Sequence, residues 1–322
     1  NSIDDELTLV RAFVTIPAFQ VEIGDAANGD SVVIGELVAG FGTDLITITS
    51  VGAPNEITAV SGVNGNVVLK GTADIDFGAE GFGNSFGSFF DAQTVDARGA
   101  SGNDEIWTGD GHQTILDGAG NDFFGVYLNG TDFFGPNWDN IELAGGANTI
   151  KFFDVAGNAG GGSLSLPNIH QVSGTFNIDG AEADRIIVDL DAPLFGNFDT
   201  TDGNNVATGA SANIRDLQAG DIVNLSASSF NFLKFTTAVT GANTVDDLFD
   251  SAIGGGIIAV DGSCDDLMAA AYDATRGEMV IFAIDNSGPL ITSGDDADGI
   301  ASIAMTYDQF LAFNSSNFGF TA

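Results

Sequence analysis

The sequence predicts an all-β protein in three successive parts, and three observations support this prediction. Residues 1–78 contain short runs of alternating apolar and polar residues, and residues 99–125 repeat glycine and apolar positions every nine residues. Residues 181–322 return to longer apolar segments divided by turns. We therefore expect an N-terminal antiparallel β-sandwich in residues 1–78, glycine-rich stacked coils in residues 79–180 and a further β domain in residues 181–322.

The charge of the chain is strongly negative, yet the sequence can still form a core. It has 45 Asp plus Glu against 8 Lys plus Arg, a formal net charge of -37, while 44% of its residues are hydrophobic. Disorder requires low hydrophobicity together with high charge, so we expect a folded protein. Neighbouring carboxylates repel one another, and cations from solution have to balance them. Nucleic acid is excluded as a partner because phosphate binding needs a basic surface, and no apolar run approaches the ~18 residues of a transmembrane span.

Short strands separated by turn residues account for the N-terminal part. The strand-like segments are LTLVRAFVTI (7–16), FQVEIG (19–24), SVVIGELVAG (31–40), DLITITSVGA (44–53), EITAVSG (56–62) and NVVLKGTADIDF (66–77). This spacing of strands and turns is typical of an antiparallel sandwich. Residues 46–77 also resemble the cadherin-like modules that accompany calcium-binding repeats in secreted bacterial adhesins.

Glycine and apolar residues recur at a period of nine in the central part. The units are GASGNDEIW (99–107), TGDGHQTIL (108–116) and DGAGNDFFG (117–125), with glycine in the fourth place and an apolar residue in the eighth. A fixed short period indicates stacked turns of one repeated unit. Because glycine adopts backbone angles closed to other residues, we expect each unit to contain a tight turn followed by a short strand.

These units resemble the glycine-rich nonapeptides of the repeats-in-toxin (RTX) family. In that family two repeats form one coil of a right-handed parallel β-roll, and calcium binds between stacked turns. The resemblance implies that Asp104 and Asp122, which hold the sixth place of the first and third units, stack on the same side after one coil. Gln113 and Thr131 occupy the corresponding place on the opposite side, and neither can carry a charge.

Calcium is the cofactor that this pattern predicts. Carboxylate and carbonyl oxygens are the ligands that calcium requires, and the charge of the chain leads us to expect several ions. The candidate ligands in the repeats are Gly102, Asn103, Asp104, Asp110, Asp117, Gly120, Asn121 and Asp122.

Acidic clusters elsewhere offer further oxygens on expected turns. The candidates are Asp74 with Asp76, Asp189 with Asp191, and Asp295, Asp296 and Asp298 in the segment DDADG. DDADG resembles half of an EF-hand loop, but the bidentate glutamate of the twelfth place is absent. A solvated charged turn is the alternative interpretation of each cluster.

The C-terminal part carries a second resemblance to the RTX family. NIRDLQAGDIVNLSASSF (213–230) resembles the segment that closes RTX β-rolls, and AAAYDATRGEMVIFAIDNSG (269–288) resembles the tyrosine-containing β-hairpin that follows. The resemblance implies a C-terminal RTX-type β cap and export by type I secretion with an uncleaved C-terminal signal. Two short helices are predicted here, because Thr244 with Asp247 and Thr306 with Gln309 have the spacing of capping boxes.

Motifs for catalysis are scarce, so we expect that the protein is not an enzyme. The chain has two histidines, His112 and His170, with no H-E-x-x-H and no G-x-S-x-G motif. A β-helix enzyme acting on a polysaccharide through paired aspartates is the less favoured alternative.

The sequence therefore favours a secreted structural protein of the extracellular space or the bacterial cell surface. We expect it to fold on calcium binding after export and to assemble with copies of itself into a surface layer or filament. The alternative is a calcium-dependent adhesin that binds cell-surface polysaccharide, with a ligand pocket around Phe133, Phe134, Trp138 and Asp139.

Overall fold

A computed structural model of the 322-residue chain provides the fold. It describes residues 6–9, 12–14, 18–23, 31–34, 37–39, 45–50, 55–59, 66–72, 75–77, 93–108, 113–128, 138–153, 166, 169–189, 213–226, 232–261, 266–285 and 290–321. Before residue 68, and in Ile75–Phe77, the description is of the backbone.

The described part of the chain is mostly β-strand, as the all-β prediction requires. The first strands are β1 (Glu6–Leu9), β2 (Ala12–Val14), β3 (Ala18–Ile23), β4 (Ser31–Ile34), β5 (Leu37–Ala39), β6 (Leu45–Ser50), β7 (Asn55–Ala59), β8 (Asn66–Gly71), β9 (Ile75–Phe77), β10 (Gln93–Ala100), β11 (Glu105–Trp107), β12 (Gln113–Leu116), β13 (Phe123–Tyr127), β14 (Asn140–Leu143) and β15 (Thr149–Phe153).

The remaining elements include two helices. They are β16 (His170–Gly174), β17 (Arg185–Asp189), β18 (Ile214–Leu217), β19 (Ile222–Ser226), β20 (Phe232–Val239), α1 (Val245–Ile253), β21 (Ile257–Asp261), β22 (Asp266–Asp273), β23 (Glu278–Asp285), β24 (Leu290–Ile291), β25 (Asp296–Ala304), α2 (Tyr307–Ala312) and β26 (Phe318–Thr321).

The chain divides into two compact units. Unit 1 comprises Asn1–Tyr127, Asp132–Lys151 and Ser173–Asp184, and unit 2 comprises Leu128–Thr131, Phe152–Val172 and Arg185–Ala322. The three-part division at residues 78 and 180 stays a prediction.

Strands of unit 1 form two parallel sheets, and from β6 onward consecutive strands alternate between them. One sheet has the order β1-β4-β7-β9-β11-β13 and the other β3-β6-β8-β10-β12-β14. The length of chain between register partners varies. The segment between Asp76 and its partner Glu105 is longer than the segment between Glu105 and its partner Phe123. Each successive pair of strands therefore forms one coil, and coils of unequal length stack in register.

The antiparallel pairing predicted for residues 1–78 is wrong for the strands that the structure describes. The ladders β1–β4, β2–β5, β3–β6, β4–β7, β6–β8 and β7–β9 are all parallel. The strands lie within the predicted segments, but alternation of apolar residues sets only which face of a strand is buried. It does not set the direction of the neighbouring strand, so these residues do not form a sandwich of antiparallel hairpins.

Apolar side chains stack in columns inside unit 1. Val95, Ile115 and Ile141 are register partners on β10, β12 and β14, and all three are buried. Ile106 and Phe124 are partners on β11 and β13 and are also buried. The apolar residue in the eighth place of the repeat therefore points into the core, as predicted.

Unit 2 contains a sheet that changes from parallel to antiparallel pairing. Its order is β18-β20-β22-β23-β25-β16, and the two antiparallel ladders are β22–β23 and β23–β25. A separate small sheet has the order β19-β21-β24. The hairpin β22–β23 occupies the segment for which the sequence predicted a tyrosine-containing hairpin.

Both predicted helices are present in unit 2. Helix α1 begins after Thr244, whose hydroxyl accepts a hydrogen bond from the Asp247 backbone N–H, and its apolar face packs in a core with Phe235 and Phe282. Helix α2 has a complete capping box, in which Thr306 and Gln309 each accept from the other's backbone N–H. The capping signals placed both helices because they depend on local sequence alone.

A buried lysine closes the C-terminal end of α2. The Lys234 ammonium donates hydrogen bonds of 3.0 Å to the backbone carbonyls of Leu311 and Phe313 and lies 3.2 Å from a carboxylate oxygen of Asp216. Carbonyls at a helix end lack partners within the helix, and a cation there is favourable. Lys234 thus joins β20 and α2.

Among the described residues, no helix has the length and apolar character needed to cross a membrane.

Replacement of Lys234 by methionine tests its role in unit 2. Lys234→Met keeps the apolar stem but leaves the carbonyls of Leu311 and Phe313 without their charged donor. We expect the free energy of unfolding, measured by urea denaturation, to fall by about 2–4 kcal/mol. The control is Lys70→Met, because Lys70 is exposed and its loss should change stability by less than about 0.5 kcal/mol. Equal losses in the two variants would contradict a specific role for Lys234.

Candidate cation site in the stacked turns

Asp122 lies one coil after Asp104, as the spacing of two repeat units predicts. Glu105 pairs with Phe123 and Ile106 with Phe124, so the residues just before β11 and β13 are also adjacent. The Asp104 backbone N–H donates a 2.7 Å hydrogen bond to Oδ1 of Asp122, and both residues are buried. A carboxylate in one coil therefore satisfies a buried backbone donor in the coil before it.

The same contact repeats along the stack. The Asp122 backbone N–H donates to Oδ1 of Asn148 at 2.9 Å, and the Asn148 backbone N–H donates to Oδ1 of Asp184 at 2.7 Å. Asp104, Asp122, Asn148 and Asp184 form a column that we call the acceptor ladder. Each of its last three members accepts a hydrogen bond from the backbone of the preceding member, so the ladder connects four successive turns.

Asparagines in the neighbouring place connect the turns in the opposite direction. Oδ1 of Asn103 accepts a 2.9 Å hydrogen bond from the Asn121 backbone N–H, and Oδ1 of Asn121 accepts one of the same length from Ala147. These side chains reach forward to the next coil, whereas those of the acceptor ladder reach back. Side-chain oxygens in both places are therefore engaged in holding adjacent turns together.

Glycine is required where these turns approach one another. A Cβ atom at Gly120 would lie 1.9 Å from the carbonyl oxygen of Gly102, and one at Gly146 would lie 1.5 Å from that of Gly120. Gly146 also has a φ of 114°, which other residues rarely adopt. Gly102, Gly120 and Gly146 thus form a column beside the acceptor ladder, and its first two members are glycines of the repeat.

Asp117 is the second carboxylate at the ladder. Its Oδ1 accepts a 2.8 Å hydrogen bond from the Gly118 backbone N–H, and its Oδ2 accepts from the Ala144 backbone N–H at 2.8 Å and from the Asn148 amide at 3.3 Å. Asp117 is buried and also hydrogen-bonded to the Asp122 carboxyl. The structure therefore brings two acidic residues from one repeat into direct contact.

This contact makes ionisation of both carboxyls unfavourable. Burial, and next the hydrogen bond with Asp122, raise the pKa of Asp117 to about 8. Two buried carboxyls in contact cannot both be charged without a cation, so a proton lies between them or a cation replaces it. Burial also raises the pKa of Asp184 to about 6, although the backbone N–H groups of Asn177 and Asn148 partly oppose this shift.

The chemistry of this donor set suits a hard divalent cation. Asp117 and Asp122 offer carboxylate oxygens, which calcium takes from proteins. Asn148 turns its amide nitrogen toward Asp117 and its amide oxygen toward the Asp122 backbone N–H. Within the described residues, no group of three or more His, Cys, Asp or Glu side chains is arranged to hold a metal ion. The contact is thus a pair of acids with an amide beside it.

The opposite side of the stack has a shorter version of the ladder. Oδ1 of Asp139 accepts a 2.9 Å hydrogen bond from the Gln113 backbone N–H. The residue stacked on Gln113 is therefore Asp139 and not Thr131, which lies outside the described residues. The strict period of nine assigned the wrong residue because the coil from Thr114 to its partner Asn140 is longer than two units of the repeat.

Three members of this arrangement were missed by the sequence analysis. Asn148 and Asp184 were not assigned a role, and Asp139 was assigned to a ligand pocket. They share a sequence pattern that has no fixed period: an acidic or amide residue lies two positions before a buried apolar residue. The pairs are Asp104 and Ile106, Asp122 and Phe124, Asp139 and Ile141, Asn148 and Ile150, and Asp184 and Ile186.

The acidic residues of the segment DDADG occupy two different settings, a turn and a strand. Asp295 is on a turn, where its Oδ2 accepts a 2.7 Å hydrogen bond from the Thr292 backbone N–H. Asp296 and Asp298 lie within β25, paired with Asp285 and Ala283 of β23, and therefore not on an EF-hand-like loop. Pairing with β23 places Asp296 and Asp298 in a strand. The sequence of the acidic segment alone does not indicate this pairing.

The remaining candidates lie on strands or outside the described residues. Asp189 ends β17 opposite Thr321, and Asp76 lies in β9 opposite Glu105. Asp74, Asp110 and Asp191 lie outside the described residues.

The structure describes two of the residues considered for catalysis or ligand binding, His170 and Trp138. His170 is buried in unit 2 with its ring 6.0 Å from that of Phe152, so its place is in the core. Trp138 is half-buried. His112, Phe133 and Phe134 lie outside the described residues.

No protein-family model, curated protein or solved structure matches the chain. Its function therefore has to be inferred from its own residues.

Two adjacent glycines test the close approach of the turns. Gly146→Ala places a Cβ on the Gly120 carbonyl, whereas a Cβ at Gly145 meets nothing within 4 Å. We expect Gly146→Ala to lower the free energy of unfolding by about 2–4 kcal/mol and Gly145→Ala to change it by less than about 1 kcal/mol. Urea denaturation in chelator measures both. Similar values would show that the turns are not packed at this distance.

The acid pair, Asp117 and Asp122, predicts how the free energy of unfolding depends on pH in the absence of calcium. The pKa of Asp117 is about 8 in the folded chain and 3.8 in the unfolded reference. Its stabilising contribution is therefore present at low pH and lost as pH rises, by at most about 1.4 kcal/mol per pH unit. Between pH 6 and 8 this loss comes mainly from the pair, because the pKa of Asp184 is only about 6.

Asp122→Asn should reduce the fall in stability between pH 6 and 8 without removing it, because burial, the largest cause of the raised pKa of Asp117, remains. Asparagine keeps the oxygen that accepts from Asp104, and it donates to the Asp117 carboxylate as Asn148 already does. The matched control, Asp139→Asn, changes the corresponding acceptor on the opposite side and should retain the fall. Thermal denaturation in chelator at several pH values measures both variants. A fall of unchanged size in Asp122→Asn would mean that the Asp122 carboxyl does not raise the pKa of Asp117.

Proposed function

We propose that the chain is an extracellular, calcium-dependent structural protein that assembles into a surface layer or filament. The observation that carries this proposal is the buried contact between Asp117 and Asp122 in a chain with a net charge of -37. Such a pair holds a proton where cations are scarce and is available to a divalent cation where they are abundant. Asp117 and Asp122 would hold the ion.

The fold class supports a structural role, in which the folded chain is itself the material of the assembly. The finer architecture that we propose is a right-handed parallel β-roll of RTX type, closed by the C-terminal β cap of residues 181–322. Stacked parallel coils with in-register glycine and Asp positions are the features of unit 1 that agree with it. Ligands inside such turns join coils to each other, which makes a bound cation a structural component.

Calcium concentration would act as the folding trigger. Extracellular calcium sites typically have dissociation constants of ~10⁻⁴ to 10⁻³ M, so they are empty in the cytoplasm and filled outside the cell. Repulsion among 45 acidic residues then opposes folding before export, and the free energy of calcium binding adds to that of folding afterwards. Type I secretion, which exports unfolded chains, is the route that fits.

A calcium titration tests this proposal. We expect the β signal in circular dichroism, and the melting temperature, to rise as calcium increases from chelator to millimolar concentrations. Magnesium at the same concentrations controls for general screening of charge and should act less. The same β content and the same melting temperature in chelator and in calcium would contradict calcium-dependent folding.

A pair of variants locates the calcium effect. Asp122→Asn removes one charge from the acid pair and should raise the calcium midpoint about tenfold or more, because two charges then become one. Asp139→Asn removes the charge at the matched position on the opposite side and should leave the midpoint within about twofold. An equal shift in both would mean that calcium acts through the total charge and not through the acid pair.

Negative-stain electron microscopy tests the assembly. We expect ordered sheets or filaments at millimolar calcium that disappear after chelation. Separate monomers under both conditions would contradict a structural role and favour the adhesin alternative, for which glycan binding is the measurement.

A further inference from the structure

The small sheet β19-β21-β24 exposes three large apolar side chains. Ile222 is 78% exposed, Ile257 39% and Leu290 48%. The other large apolar residue of comparable exposure in the described part of the chain is Leu311, which lies on α2. Apolar residues grouped on an open surface commonly mark a place that something else covers.

An exposed asparagine lies among these apolar residues. Residues two apart in a strand share a face, so Asn224 lies on the same face as Ile222. Asn224 pairs with Ala259, which in turn pairs with Leu290. Ile222 pairs with Ile257 in the adjacent row. The face is thus mixed in character, with a side-chain amide between apolar neighbours.

Asn224 begins an Asn-x-Ser tripeptide, which is an acceptor sequence for N-linked glycosylation. The tripeptide is Asn224-Leu225-Ser226, and its middle residue is not proline. Two further tripeptides of the Asn-x-Ser or Asn-x-Thr type begin at Asn129 and Asn314. Asn129 lies outside the described residues. Because such tripeptides also arise by chance, the surroundings of each asparagine decide whether the fold accommodates a glycan there.

The two described acceptors differ in whether the side-chain amide is engaged. The Asn314 amide donates a 3.0 Å hydrogen bond to the Ala312 carbonyl, and its Oδ1 accepts from the backbone N–H and the hydroxyl of Ser316. Asn224 is exposed and has no side-chain hydrogen bond to a residue that the structure describes. A sugar can therefore be attached to Asn224 without breaking a hydrogen bond of the described fold.

The strand that carries Asn224 is an edge strand without the usual protection against pairing. The one hydrogen-bonded neighbour of β19 among the described strands is β21. Charged side chains, proline and bulges commonly protect such edges. The β19 sequence IVNLS has no charged residue and no proline, and its ladder with β21 has no register shift. A glycan is bulky and solubilising, so one attached to Asn224 would keep other chains from pairing with β19.

We infer that Asn224 is an N-glycosylation site whose glycan covers the exposed face of β19 and β21. In the transfer, the side-chain nitrogen of Asn224 forms a bond to the anomeric carbon of a sugar that is activated by a phosphate leaving group. The bond between that carbon and the phosphate oxygen breaks, and the phosphate departs with the electron pair. The amide loses one proton to a base of the transferring enzyme. The small side chain of Ala259 leaves room beside Asn224 for the first sugar. The modification is independent of whether the chain assembles.

Peptide mass spectrometry of the protein isolated from the cells that produce it tests the site. Trypsin digestion of the unfolded chain cleaves after Arg215 and Lys234, so Asn224 lies in the peptide 216–234. This peptide contains no other Asn-x-Ser or Asn-x-Thr tripeptide. We expect the peptide to be heavier than its sequence mass by one or more sugar residues. An unmodified peptide 216–234 would overturn the inference.

Variants produced in the same cells identify the tripeptide as the acceptor. Asn224→Gln and Ser226→Ala should lose the added mass, whereas Ser226→Thr keeps the acceptor sequence and should retain it. The control, Asn314→Gln, removes a different acceptor and should leave the mass of peptide 216–234 unchanged. Added mass that persists in Ser226→Ala would contradict N-glycosylation of this tripeptide.

Binding of a hydrophobic fluorescent dye in calcium tests whether the glycan covers the face. Asn224→Gln lacks the glycan and should bind more dye than the glycosylated wild type, because Ile222, Ile257 and Leu290 are then uncovered. Adding Ile257→Ser to Asn224→Gln should reverse part of this increase. Equal dye binding by the wild type and Asn224→Gln would overturn the covering role. Melting temperatures confirm that each variant is folded.

Discussion

Hydrogen bonds from the backbone of one turn to a buried Asp or Asn side chain of the next are the constraint on which unit 1 depends. Parallel strands pair along their length, but the turns between them leave backbone donors that a core cannot satisfy. Asp122, Asn148 and Asp184 supply the missing acceptors. Because each acceptor reaches a neighbouring coil, it also fixes the register of that coil. Coils of different lengths can therefore stack in one column.

The composition of the acceptor ladder links stability to charge. Asparagine satisfies the backbone without a charge, as Asn148 does, so an aspartate in the same column brings a carboxylate that the hydrogen bond does not require. Where Asp117 meets Asp122, the second carboxylate is costly unless a proton or a cation is shared. Aspartates at these two positions are favourable where calcium is abundant, because the cation neutralises both carboxylates. The acid pair is therefore consistent with the proposed role outside the cell.

Unit 2 is stabilised in a different way. Its core consists of aromatic and aliphatic side chains from α1 and the mixed sheet, with Phe249 packed between Phe235 and Phe282. Two of its buried charged residues have partners: Lys234 is matched by helix carbonyls and by Asp216, and Asp273 by Arg276.

The sequence by itself determined the local features of this protein. The N-cap at Thr244 and the capping box at Thr306 follow from short-range spacing. So do the inward apolar places at Ile106 and Phe124 and the stacking of Asp122 after Asp104. Tertiary structure decided the direction of strand pairing in residues 1–78 and the contact of Asp117 with Asp122. It also decided which residue follows Gln113 in its column, because coil length varies and the partner is chosen by hydrogen bonds across coils, not by a period in the chain.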